Sequence, residues 1–139
     1  MPSPADIFVT AAAGAGCWRY DQIGEGIAAF CPTLPDNPIN AASAINYEPR
    51  RDGRLMRSGR YIDHPQVAVM FRHADYASLW QAMNNLVSWA SEVNRSSVAI
   101  GGSNIVVCAI SKTSGPADLG QDEGTGAFLG SVNFSLTLQ

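Results

Sequence analysis

Charge is what this sequence has least of. Only 15% of its 139 residues are Asp, Glu, Lys or Arg, where roughly 25% is usual. Apolar residues, at 46%, are ordinary. That combination excludes disorder, which needs many charges and few apolar side chains. Lysine is nearly absent, since Lys112 is the one lysine among nine basic residues. Interfaces favour arginine and deplete lysine, so the skew hints at assembly, although codon bias produces the same skew. Cysteine is also sparse: Cys17, Cys31 and Cys108 are an odd number without Cys-x-x-Cys spacing. That excludes a disulfide framework and a zinc site, and reduced thiols in the cytoplasm are the plain reading. No segment approaches the ~20 apolar residues of a membrane span. The apolar run Ile7 to Cys17 ends like a lipoprotein signal, but Asp6 precedes it and no Lys or Arg does, so a secretory start is not expected. A net charge of −3 and a pI near 5.2 count against a general nucleic-acid binder.

What is present reads as one domain over residues 1–139. Ser3 suits an N-cap, Pro4 a first helical position, and Asp6 stands at capping-box spacing, so a helix is expected through Ala13, stopped by Gly14 and Gly16. Cys17 to Phe30 is irregular, and Pro32 to Pro38 is a rigid extended turn. Ala41 to Glu48 is a strand candidate. Residues 49–64 are polar and contain glycine, which predicts a long loop or flap. Val67 to Phe71 is apolar at every position, the pattern of a strand buried on both faces. Asp75 caps a helix expected over Tyr76 to Asn94, with Leu79, Met83, Leu86, Ala90 and Val93 on one stripe. Its opposite face, Gln81, Asn84, Asn85, Ser88, Ser91 and Glu92, carries a single charge. Gly101-Gly102 suits a hairpin turn, Ile105 to Ile110 a second central strand, and residues 114–126 an acidic, glycine-rich loop. Phe128 to Gln139 alternates apolar with neutral polar residues, a one-sided strand. The expected fold is α+β: a mixed, mostly antiparallel sheet of about four strands with two helices packed on it. The last two strands are expected to pair antiparallel.

Chemistry is hard to find. His64 and His73 are the two histidines, and neither stands in a pattern that orients a Ser or Cys nucleophile. Cys108 reads as core. Nothing near Cys31 in sequence lowers its pKa. The segment Asp118 to Gly124 lacks the spacing of a calcium loop. No catalytic, cofactor or metal residue is assigned. Charge does cluster: Arg50, Arg51, Arg54, Arg57 and Arg60 lie within eleven residues, offset by Asp52, and Asp118, Asp122 and Glu123 sit in the other loop. Three readings stand open. The basic flap of one copy meets the acidic loop of another and closes a ring, both loops are merely solvated, or the flap binds nucleic acid.

The order of these features resembles the tail terminator proteins of long-tailed bacteriophages, also called minor capsid or tail-completion proteins. The likeness runs from Leu34-Pro35-Asp36-Asn37-Pro38 through the strands Ala41 to Glu48 and Pro65 to Arg72, the long helix, and Asn104 to Ile110. It is most specific over Gly115 to Glu123 and Ser131 to Leu136. It departs over Cys17 to Phe30 and at Thr125-Gly126-Ala127, where the family often carries an arginine. The resemblance implies a structural virion protein and no enzyme. It implies a probably six-membered ring that caps the head-proximal end of the tail tube, stops its polymerisation and docks the head connector. Its partners would be other copies, the tube protein and the head-completion protein. DNA would pass through the bore without sequence-specific contact, and no membrane is involved. Assembly would take place in the host cytoplasm. The Arg flap and Asp118, Asp122 and Glu123 would form the contacts. The alternatives are a nucleic-acid-binding accessory protein or an α+β ligand-binding or hydrolase domain.

Overall fold

The N-terminal capping signals act as their spacing predicts. The Ser3 hydroxyl accepts from the Asp6 amide at 3.2 Å and donates to the Asp6 carboxylate at 2.9 Å. Pro4 opens helix α1 (Pro4–Gly14), and such a cap stabilises by about 1 kcal/mol. The computed structural model describes residues 3–20, 27–31, 33–35, 39–55 and 61–138, and the side chains of all of these except 19, 20, 47–55 and 61–64.

Seven strands form one sheet: β1 (Arg19–Tyr20), β2 (Ala28–Phe30), β3 (Ala41–Leu55), β4 (Tyr61–His73), β5 (Ser96–Ile100), β6 (Ser103–Gln121) and β7 (Phe128–Leu138). Their order is β1-β2-β3-β4-β7-β6-β5. The β1–β2 and β2–β3 pairs are parallel and every other pair is antiparallel. Helix α2 (Tyr76–Glu92), capped by Asp75, connects β4 to β5. The fold is therefore α+β with two helices, as expected, and the final pair β6–β7 is antiparallel. The sheet is wider than the four strands expected, because β1, β2 and β5 are too short to show a period.

Two expected loops are strands. Residues 49–55 and 61–64 of the flap continue the β3–β4 hairpin, with Arg50 opposite His64 and Leu55 opposite Tyr61. Four steps along β3 from Arg51 to Leu55 face two along β4, so bulges absorb Gly53 and the polar run. Residues 114–121 of the acidic loop likewise belong to β6. Fourteen steps from Val107 to Gln121 face ten on β7, across four bulges. Gly115 (φ 87°) and Gly120 (φ 93°) take the left-handed conformations that such bulges need. A Cβ on Gly115 would sit 2.6 Å from the Ser131 carbonyl oxygen.

Both helices pack on one face of the sheet. Phe8 of α1 meets Phe134 of β7 at 5.0 Å and Trp89 of α2 at 5.6 Å between ring centres. Leu79, Met83, Leu86 and Ala90 are buried as the stripe predicts. Met83 lies so close to Gly130 that a Cβ there would be 2.6 Å from its sulfur. The other face of the sheet is open, which corrects the expectation for Val67 to Phe71. Val67, Val69 and Phe71 are buried, but Met70 between them is 40% exposed and Ile45 on β3 is 44% exposed. Strand alternation, not the unbroken apolar run, sets burial here.

Candidate functional site

Cross-strand register fixes where the predicted residues lie. Strand β4 runs from Asp63, opposite Arg51 and Leu138, to His73, opposite Phe128, which in turn faces Gln121. The Arg-bearing hairpin therefore marks one end of the sheet and the acidic turn the other. Ten residues of strand separate them, about 33 Å. Arg50, Arg51 and Arg54 lie on the paired backbone of β3, while Arg57 and Arg60 fall outside the described residues. Among the described residues, the backbone positions of the basic and acidic groups stand at opposite ends of the sheet.

At the turn end, the acidic residues hold the local fold. The Asp118 carboxylate accepts from the Tyr76 hydroxyl at 2.9 Å and from the Gly120 amide at 3.1 Å. Asp122 accepts from the Gly124 amide at 3.0 Å and from the Thr125 hydroxyl at 3.2 Å. Glu123 is exposed in the turn. Tyr76 also stacks edge-on against Phe128 at 5.2 Å, which joins the start of α2 to β7. Nearby, His73 Nδ1 accepts from the Asp75 amide at 3.0 Å, so its neutral form is the one used. Burial pulls its pKa below the ordinary imidazole value, against the pull of the Asp75 carboxylate. Asp75 is itself held below the usual carboxylate range, chiefly by the Ser78 hydroxyl and amide.

Arg72 is a functional residue absent from the sequence-based expectations. It is 5% exposed; its Nε donates to the Ile39 carbonyl at 2.9 Å, and its terminal nitrogen donates to the Pro35 carbonyl. One guanidinium thus ties the Pro35 and Ile39 backbone to the end of β4. The available signal was an isolated charge closing an apolar run.

At the other end, a cleft of about 310 Å³ opens between the C-terminal ends of α1 and α2 and the strand β5. Its lining includes Ala11, Ala15, Trp89, Val93, Val98 and Val107 and no ionisable side chain. Burial raises the pKa of Cys17, and burial with the Asp6 carboxylate pushes that of Cys31 up to about 11. Cys108, expected in the core, is half-buried at a β6 bulge. His64 lies within β4, not at its mouth. Among the described residues, no group of three His, Cys, Asp or Glu side chains is placed to hold a metal ion. No described helix is long and apolar enough to cross a membrane.

The open sheet face carries no charge across its centre. Its cross-strand rows are Ser43, Met70, Ser131 and Ala117, then Ile45, Ala68, Asn133 and Ser114. Asn133 donates to the Ser114 hydroxyl at 2.8 Å. The outer face of α2 is as neutral as its sequence predicts, with Gln81, Asn84, Asn85, Ser88 and Ser91 exposed. No family model matches the chain, and none of the curated proteins compared with it is similar.

Proposed function

We propose that the chain is a structural virion protein that forms a ring of six copies on the head-proximal end of a phage tail tube. The ring ends tube polymerisation and offers the head connector a docking surface. The observation that carries this reading is the separation of charge along the sheet: basic hairpin at one end, acidic turn at the other. With strands running along the ring axis, every copy puts Arg50, Arg51 and Arg54 toward one rim and Asp118, Asp122 and Glu123 toward the other. A ring with unlike rims binds the last tube ring on one side and cannot repeat itself on the other, which is what capping requires.

The sheet face, uncharged across its centre, and the outer side of α2, with Glu92 as its single charge, support the same reading, since surface with few charges is surface that neighbours cover. Side-by-side contact between the Arg hairpin and the acidic turn would demand a slide of about 33 Å along the strands. Repeated slides build a helix and not a closed ring, so the two charge clusters serve opposite rims. Catalysis has no part in this reading. Negative-stain images of the purified protein are expected to show closed rings. The Arg54→Glu/Arg57→Glu double variant is expected to lose tail binding while keeping its thermal stability. Unchanged assembly of that variant on tails would sink the proposal, and DNA binding that falls steeply with salt would favour the nucleic-acid reading in its place.

A further inference from the structure

The sheet has two kinds of open edge, and the chain protects only one. Beyond Cys108, whose carbonyl accepts from the Arg95 amide at 3.0 Å, β6 has no partner on its outer side among the described residues. That stretch carries bulges, Pro116 and Lys112, the devices that keep an edge from pairing with another chain. The outer edge of β5, Ser-Ser-Val-Ala-Ile, has none of them. It is free of charge and proline, and its register with β6 is unbroken from Ser96 to Ile100. Ile100 and Ser103 flank the two-residue turn Gly101-Gly102, whose φ values of 57° and 79° make it type I′, so this pair exchanges both backbone hydrogen bonds. Alternation then aims Ser96, Val98 and Ile100 at β6 and leaves Ser97 and Ala99 with backbone groups facing outward. No described residue bonds to those groups.

On the opposite margin, β2 pairs with β3 only over Ala41 to Ser43. The distal half of β3 is therefore open on that side among the described residues. The two margins stand at one level. Arg51, Asp63, Leu138, Val107 and Ser96 form a single row across the sheet. From that row β3 and β5 run in the same direction, to Leu55 and to Ile100. A neighbouring copy displaced sideways, with no slide along the strands, therefore meets β5 with its own β3.

We infer that the β5 edge of one copy receives the Arg51–Leu55 segment of a second copy as a parallel strand, so that the sheet continues from subunit to subunit. Charge favours this occupant. The cleft beside β5 lies at the C-terminal ends of both helices, and neither helix carries a basic residue in its last turn. Helix C-termini hold partial negative charge that a nearby cation stabilises. The incoming segment carries Arg51 and Arg54 in its sequence, the cations that this end of the sheet lacks in its helix last turns. Arg95, just past α2, already has partners of its own. Because the contact needs no slide, repeating it closes a ring instead of winding a filament.

The inference deepens the ring reading and rests on it, but it is tested apart from tail capping. Ala99→Pro removes one outward N–H and leaves every β5–β6 bond in place. By light scattering, wild type is expected as a closed oligomer and Ala99→Pro at the 14.8 kDa of one chain, with unchanged circular dichroism and melting. A wild type that is monomeric at its solubility limit, or an Ala99→Pro variant of wild-type mass, overturns the inference. If Ala99→Pro misfolds, hydrogen exchange of wild type decides: the Ser97 and Ala99 amides exchange slowly in concentrated protein and fast on dilution. Equal rates at both concentrations overturn it. Rings sensitive to Ala99→Pro that leave tail tubes uncapped uphold the interface and defeat only the capping reading.

Discussion

The two ends of the sheet differ in how completely they are finished by their own chain. At the turn end, each described carboxylate but Glu123 has an intramolecular donor: Asp75 has Ser78, Asp118 has Tyr76, and Asp122 has Thr125. Arg72 holds the Pro35 and Ile39 carbonyls at the same end. At the hairpin end, two helix C-termini lack cations in their last turns, an apolar cleft stands open, and β5 ends the sheet without a guard. Substitutions at the turn end should therefore be read in stability, and substitutions at the hairpin end in association.

The largest expected loss of stability comes from Gly115→Ala, in β6 between the two central rows of the sheet. The residue sits at φ 87° with a backbone oxygen where the methyl would go, so chemical denaturation should show about 3 kcal/mol of lost stability. Arg72→Ala should cost slightly less, about 2–3 kcal/mol, by leaving two carbonyls without their donor. Arg72→Lys should restore little of it, because an ammonium lacks the fork that reaches both.

A pH titration of stability sharpens the same contrast. The folded pKa of His73 lies below its ordinary 6.5, so the unfolded chain binds the extra proton first as pH falls. Stability is full above pH 6.5 and drops from there toward the folded value. Asp75 adds a second loss that begins near its ordinary 3.8 and continues as pH falls through its lowered folded value. His73→Gln should flatten the upper slope and leave the lower one. Tyr76→Phe is the mildest change: it removes one exposed hydrogen bond to Asp118 and should cost about 0.5–1 kcal/mol.

Helices were legible here because their signals are local. Ser3 and Asp75 announce their caps, and the Leu79, Met83, Leu86 and Ala90 stripe announces its buried face. Strand ends were not legible, because a glycine at a bulge and a glycine in a loop look alike in sequence. Gly115, Pro116 and Gly120 read as a loop, yet they sit inside β6. The charges and Gly53 of the hairpin misled in the same way. Met70 stands exposed within a run of apolar residues, since apolar residues are ordinary on an outer face and strand alternation decides which of them turn inward. The Gly101-Gly102 turn was readable, but the bareness of β5 depends on which strands fail to cover it. Arg72 depends on carbonyls over thirty residues away.

The comparison between the two ends is tested most directly by reversing charge at each and weighing the particle. At equal concentration, light scattering should find Arg51→Glu/Arg54→Glu dissociated to single chains and Glu123→Lys at the mass of the wild-type ring. Dissociation by Glu123→Lys with the arginine variant intact, or wild-type mass for both, would contradict the account.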